Sequence, residues 1–238
     1  MLTLAVQKSG RLNTQTDQLL KDCGISLING STHKLKVIAS NFPLQILYLR
    51  DDDIPECIVD GGADAGIVGE NVFWESGKKL DLITRLGFAR CRMSIAVPKQ
   101  MDYTDLSDLN GLSIATSYPS ILQGFLDKNN IAASIHQISG SVEIAPGIGL
   151  ADAIFDIVST GSTLLGNGLK EVEVALHSEA VLLSHPQLNS EKKAVLDKLI
   201  FRIAAVKKAG NFKYILLNAP NEKIDEICAI LPGMKSPT

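Results

Sequence analysis

Four hydroxyl side chains, Ser159, Thr160, Ser162 and Thr163, flank Gly161 directly after an apolar run. Ala153, Ile154, Phe155, Ile157 and Val158 read as a buried strand too apolar to alternate. Asp156 interrupts that run, and a carboxylate drawn out of water requires a polar partner. Gly161 frees the backbone to turn, so that successive N–H groups can point at one anion. The chemistry this pattern suits is phosphate binding without a lysine. Five such residues alone also describe an ordinary turn, so the remainder of the chain has to separate the two.

The elements that must position this loop alternate between strand and helix, which is α/β patterning. A strand at Leu2–Val6 precedes a helix over Thr14–Cys23 with Leu19 and Leu20 toward the core. Strands near Leu35–Ala39 and Leu44–Leu49 lead to a helix over Ile54–Asp60, opened by the acidic run Asp51–Asp53, which suits a helix N-terminus. Strands follow at Ala65–Gly69, Ile83–Leu86 and Met93–Val97, and Pro98 ends the last of these because it donates no ladder hydrogen bond.

A lobe boundary is placed there, giving lobe one as residues 1–97. The second lobe, 98–182, contains a turn at Asp105–Gly111, a strand at Leu112–Thr116, a helix at Ile121–Lys128, a strand at Ser134–Gln137 and the loop strand. Val172–Leu176 and Ala180–Leu183 read as returning strands. A long helix within 183–211, capped by Ser184 or Ser190, carries Val195, Leu196, Leu199, Ile200, Ile203 and Ala204 on one stripe and is expected to rejoin lobe one. Two lobes joined by two crossings enclose a cleft, a common place for small ligands.

Composition narrows the partners. The 238 residues are 45% hydrophobic with a net charge of −3, which leaves no basic footprint for nucleic acid. Cys23, Cys57, Cys91 and Cys228 form no C-x-x-C pair, so neither zinc nor a disulfide framework is indicated and a reducing cytoplasm fits. The start, MLTLAVQKSGR, has only a short apolar run, and no stretch approaches the ~18 apolar residues of a membrane span.

The loop strand DIVSTGSTLLGNGL resembles the sugar-phosphate loop of phosphoribosyltransferases, and most closely that of the ATP phosphoribosyltransferase family, which opens histidine biosynthesis. QKSGRL, LRDDDIP, DAGIVGENV, ARCRMSIAVP, IATSYP and SGSVEIAP resemble that family's blocks in order, covering nearly the whole chain. The resemblance implies a two-lobed fold similar to type II periplasmic binding proteins, with the active site between the lobes. It implies transfer of phosphoribosyl from phosphoribosyl pyrophosphate to N1 of ATP, with Mg2+ as cofactor and a dimer-based homo-oligomer. The tail KYILLNAPNEKIDEICAILPGMKSPT resembles the opening of a ferredoxin-like, histidine-binding third domain, so 212–238 are expected to be its remnant, with histidine inhibition lost.

On that resemblance, Ser159, Thr160, Gly161, Ser162 and Thr163 hold the 5′-phosphate and Asp156 the ribose hydroxyls. Lys8, Gly10 and Arg11 follow the first strand, where glycine allows close backbone approach and Arg11 offers a planar fork to the leaving pyrophosphate; a solvated loop is the plain alternative. Gly10 and Arg11 are also expected at ATP, with Arg50, Glu70, Thr116, Ser117, Tyr118 and Glu143. Arg50 is equally suited to ion pairing with Asp51–Asp53, Glu143 equally to helix capping, and Asp64 to capping a turn.

Magnesium is expected mainly on substrate phosphates and water, with no protein cage. Many family members carry an arginine where this chain has His33, Lys34 and Lys36, so no catalytic role falls to that segment. His33, His136, His177 and His185 lack a carboxylate at triad or ligand spacing and read as structural or exposed. Two rivals share these residues: a non-catalytic two-lobed small-molecule-binding module, and a phosphoribosyltransferase for another base. The anion loop facing Arg11 argues against the first.

Overall fold

The computed structural model describes residues 1–28, 35–210 and 218–230. Strands β1 (Leu2–Gln7), β2 (Lys36–Ile38), β3 (Leu44–Leu49), β4 (Ala65–Gly69), β5 (Asp81–Arg85) and, much later, Ala180–Ser184 make one sheet. Its middle, β3-β1-β4, is parallel, with Leu4 opposite both Ile46 and Ala65. Such strands are buried on both faces, which explains runs too apolar to alternate. On one face Leu2, Leu4 and Val6 meet Leu19 and Leu20 of α1 (Arg11–Asp22); on the other Ala5 meets Ile54 and Ile58 of α2 (Ile54–Val59) and Val72 and Phe73 of α3 (Glu70–Ser76).

The second sheet contains β6 (Cys91–Pro98), β7 (Ser113–Thr116), β8 (Ser134–Gln137), β9 (Ala153–Val158) and β10 (Leu169–Ser178), in the order β10-β6-β9-β7-β8. Met93, Ile95 and Phe155 pack on Leu122 and Leu126 of α4 (Pro119–Lys128), while Ala96, Ile154 and Val158 cover Val142 and Leu164. Leu164 belongs to the short helix α5 (Ser162–Gly166).

The chain then returns as β11 (Ala180–Ser184), antiparallel between β4 and β5, and as α6 (Ser190–Ala209), whose Leu196, Leu199 and Ile203 join the first core. Asn189 caps α6, accepting from Lys192 N–H at 2.9 Å, in place of the expected Ser184 or Ser190. Ala204, expected on the buried stripe, is exposed.

The lobes part earlier than the sequence suggests. Residues 91–97, expected to close lobe one, form most of a central strand of the second sheet, and residues 180–182, expected in lobe two, lie in the first. Pro98 marks the end of a strand, whereas the chain changes sheets between Leu86 and Arg90, and again at Glu179. In the first crossing Gly87 (φ 86°) and Ala89 (φ 51°) turn the backbone through the left-handed region. The crossings are tied by Leu86 N–H to Ala180 O at 2.8 Å and Ala180 N–H to Phe88 O at 2.9 Å.

In the tail, α7 (Ile224–Ile230) has no buried residue, and the opening strand expected before it lies largely outside the described residues. His33 and Lys34 also lie outside them, while Lys36 is exposed on the edge strand β2. No helix among the described residues is long and apolar enough to cross a membrane.

Candidate functional site

β9 delivers the hydroxyl loop to the edge of the cleft. Gly161, at φ 80°, turns the chain into α5, whose first-turn N–H groups have no intrahelical acceptors. The loop opens on a cavity of about 300 Å³ lined by Glu143, Asp156, Ser159, Thr160, Gly161 and Thr163 among others. Ser162 is held differently: its hydroxyl lies 3.0 Å from that of Thr160 and does not line the cavity. Ile157, expected buried, is 39% exposed, because the strand surfaces here.

Asp156 faces the cavity with one oxygen accepting from Ile157 N–H at 2.7 Å. Burial pushes its carboxyl above the ordinary value, the Ile157 N–H opposes this, and the charge of Glu143 pushes it up further. Glu143 shares the cavity with Asp156; it sits in a 3-10 turn, Val142–Ile144.

The first lobe answers from the N-terminus of α1. Gly10 (φ 94°) precedes the helix, which starts three residues earlier than expected, so that Arg11 is its first residue. Arg11 Nη2 reaches across the cleft to Ser159 Oγ at 3.4 Å. Lys8 is exposed; its N–H donates to Leu49 O at 2.7 Å, and its side chain forms no ion pair among the described residues. Arg50 is likewise exposed and without an ion pair there, although its charge acts on Asp52.

A second cavity, about 230 Å³, lies between the lobes, with Asp52, Val72, Glu75 and Ser76 on one side and Ser117, Tyr118 and Gln137 on the other. Burial holds the Tyr118 phenol well above its usual range, and the charges of Asp156, Asp52 and Asp51 add to that, so Tyr118 faces acids of both lobes. Glu75 of α3 accepts from Ser120 and Ile121 N–H at 2.9 and 3.0 Å, capping α4 of the other lobe. Glu75 and Gln137 are not singled out by sequence, and Asp52 only as part of the acidic run Asp51–Asp53. Glu75 and its partners are 45 and 46 residues apart, so no local pattern joins them.

Three expected ligand residues have structural partners instead. Glu70, 3% exposed, opens a helix that the sequence did not reveal, and its carboxylate takes Arg85 Nε and Nη2 at 2.9 and 2.5 Å. Thr116 is fully buried, and its hydroxyl accepts from Tyr118 N–H at 2.8 Å. Ser117 lines the interlobe cavity, but its hydroxyl donates to Ile138 O at 2.7 Å. Asp64 does more than cap a turn: it accepts from Thr3 N–H and from Lys192 Nζ, each at 2.8 Å, fastening α6 to β1. His136 and His177 are exposed, and His185 Nδ1 accepts from Gln187 N–H at 3.0 Å.

Beneath the loop, Arg92 is clasped by Glu171 through two bonds of 2.5 Å and donates to Ser159 O at 3.1 Å.

Residues 50–205 match the family model HisG, described as ATP phosphoribosyltransferase, and residues 209–238 match that of the HisG C-terminal domain. The ATP phosphoribosyltransferases of Cytophaga hutchinsonii and Bacteroides thetaiotaomicron are 60% and 56% identical over all 238 residues, which span 83% and 84% of those proteins. Among solved structures, one from the Thermotoga maritima ATP phosphoribosyl transferase (HisG:HisZ) complex aligns with 86% of this chain and 100% of its own, at TM-score 0.71 and 28% identity. Tv2483 bound to L-arginine aligns with 87% of this chain and 85% of its own at TM-score 0.60 and 12% identity, a likeness of fold alone.

Proposed function

Because the chain belongs to the ATP phosphoribosyltransferase family, we propose that the cleft between the 159–163 loop and Arg11 is where it joins phosphoribosyl pyrophosphate to ATP. The reaction is that of a pentosyltransferase at the first step of histidine biosynthesis. Adenine N1 donates its lone pair to the anomeric carbon, the bond from that carbon to the pyrophosphate oxygen breaks, and the electron pair leaves with pyrophosphate. Positive charge grows on the sugar and negative charge on the leaving group. The site therefore needs charge stabilisation more than it needs a strong base.

The loop supplies the grip. Micromolar binding requires about 8 kcal/mol, and charge-assisted hydrogen bonds contribute about 1.5–3 kcal/mol each. Three to five contacts from the amides and hydroxyls of Ser159, Thr160 and Thr163 are enough without a lysine. Asp156, with Glu143 beside it, accepts from the ribose hydroxyls. Arg11, reaching over from the other lobe, meets the diphosphate, with Lys8 nearby in sequence. Tyr118 and the interlobe cavity are the side from which the adenine approaches; Arg50 is an exposed cation whose charge acts on Asp52 of that cavity.

Magnesium fits as a substrate-borne ion. Asp156 and Glu143, which line one cavity, offer the one or two carboxylates this ion takes beside phosphates and water. When bound, it supplies charge neutralisation on the diphosphate. A dimer-based homo-oligomer and a cytoplasmic setting complete the reading; the T. maritima chain's place in a HisG:HisZ complex supports assembly with other subunits, and the relatives' naming as ATP phosphoribosyltransferases supports a biosynthetic setting.

The observation that carries the reading is the Arg11–Ser159 contact, which brings the cation of one lobe onto the anion loop of the other. Mixing the protein with ATP, Mg2+ and phosphoribosyl pyrophosphate tests it. Pyrophosphate release with a change in adenine absorbance is expected. Release only with another base, or binding without release, would overturn it.

A further inference from the structure

Arg92 lies on β6, directly opposite Val158 of the loop strand. Its guanidinium is shared between two tasks. Nε and Nη2 pair with the two oxygens of Glu171 on β10, and Nη1 donates to the carbonyl of Ser159. Glu171 is itself steadied by Ser94 Oγ at 2.7 Å. A bulge in β10 between Glu171 and Glu173 adjusts the register with β6 just beyond Glu171. Arg92 and Glu171 keep side-chain exposures of 30% and 24%, so the pair is half shielded, and its charges are mutually satisfied. A guanidinium already paired in this way is poorly placed to serve as a free cation for the substrate, which leaves its third bond as the informative one.

We infer that Arg92, clamped by Glu171, is a positioning residue that presets the phosphate loop by fixing the orientation of the Ser159–Thr160 peptide. The physical link is peptide planarity: in a trans peptide the C=O of one residue and the N–H of the next point in opposite directions. Holding Ser159 O toward Arg92 therefore turns Thr160 N–H the other way, toward the cavity that Thr160 lines. Arg11 meets the same residue through its hydroxyl, so Ser159 is held from both lobes, by carbonyl and by side chain. The planar fork is what allows two bonds to Glu171 and a third to the loop; a lysine offers one compact charge and cannot span both.

This inference rests on the reading of the loop as the 5′-phosphate site. The test is steady-state kinetics on Arg92→Gln, Arg92→Lys and Glu171→Gln beside the wild type, with each substrate varied in turn and folding checked by thermal melting. The expected result is a KM for phosphoribosyl pyrophosphate raised about tenfold in Arg92→Gln, the scale of one hydrogen bond to a charged partner. KM for ATP should move less than twofold, and Arg92→Lys should recover only part of the loss. A purely structural role would lower melting temperature and active fraction and leave both KM values unchanged, which overturns the inference. Should Arg92→Gln fail to fold, the same criterion applies to Arg92→Lys and Glu171→Gln. Wild-type protein that turns over no phosphoribosyl pyrophosphate would instead overturn the functional reading itself.

Discussion

Replacing Gly161 by alanine isolates the backbone geometry of the phosphate loop from its side chains. A Cβ built at Gly161 meets only Val158 Cγ1, at 3.9 Å, which is ordinary contact, so space is not the obstacle. The obstacle is φ of 80°, where an L-residue other than glycine is strained by about 1–2 kcal/mol. Gly111 offers the matching control: its φ is also 80°, nothing lies within 4 Å of its Cβ position, and it sits in the turn before β7, away from the loop.

Both variants should lose comparable stability in urea. They should part in kinetics, because Thr160, Ser162 and Thr163 beside Gly161 are exposed, so that strain at the turn shifts their amides from a common focus. Relaxation of 1–2 kcal/mol corresponds to a rise of about 5–30-fold in KM for phosphoribosyl pyrophosphate. Gly111→Ala should leave KM unchanged, and Gly161→Asn should recover part of the loss, since asparagine tolerates the left-handed region better. Unchanged KM in Gly161→Ala, with the stability loss present, would refute the idea that this turn gathers the phosphate donors.

Arg11→Ala should mainly lower kcat, because its contact strengthens as pyrophosphate departs, whereas Thr163→Ala should mainly raise KM for phosphoribosyl pyrophosphate; initial-rate kinetics separate the two. The acid limb of kcat/KM should lie above the ordinary aspartate value, since burial and, in part, the charge of Glu143 raise the Asp156 carboxyl. As pH falls through that raised value Asp156 gains a proton and loses its ability to accept from ribose hydroxyls. Glu143→Gln should shift the limb to lower pH, and Asp156→Asn should abolish it, as a pH–rate profile would show. Asp64→Ala should cost about 1–3 kcal/mol by leaving Thr3 N–H and Lys192 without their acceptor, with KM values unchanged, as measured by urea unfolding and kinetics.

What the sequence made legible was local chemistry. The apolar strand, Asp156, Gly161 and the hydroxyls occupy one short stretch whose residue types suit a phosphate loop, while the family resemblance was needed to prefer that reading over a plain turn and to set Arg11, just past the first strand, opposite it. Contacts between distant segments were not legible. Residues 91–97 look like the close of a lobe because Pro98 ends the strand, but their sheet is decided by pairing with β9 and β10, some 60 to 90 residues later in the chain. Glu70, expected at ATP, follows a glycine at the end of a buried strand, but it opens a helix there with no loop between, and Arg85 claims it. Thr116 carries a hydroxyl at a strand end, as a ligand contact would, yet spends it on the next turn of its own backbone. Arg92 and Glu171, 79 residues apart, become partners only once β6 and β10 lie side by side.

The central claim is that the ribosyl donor is gripped by its 5′-phosphate at the loop from Ser159 to Thr163, with its diphosphate toward Arg11. A crystal structure of the protein with phosphoribosyl pyrophosphate tests it most directly. The account predicts the 5′-phosphate within hydrogen-bond distance of the Thr160 and Thr163 amides, the ribose hydroxyls at Asp156 and the diphosphate at the Arg11 guanidinium. Density for the donor elsewhere, with the loop unoccupied, would contradict it.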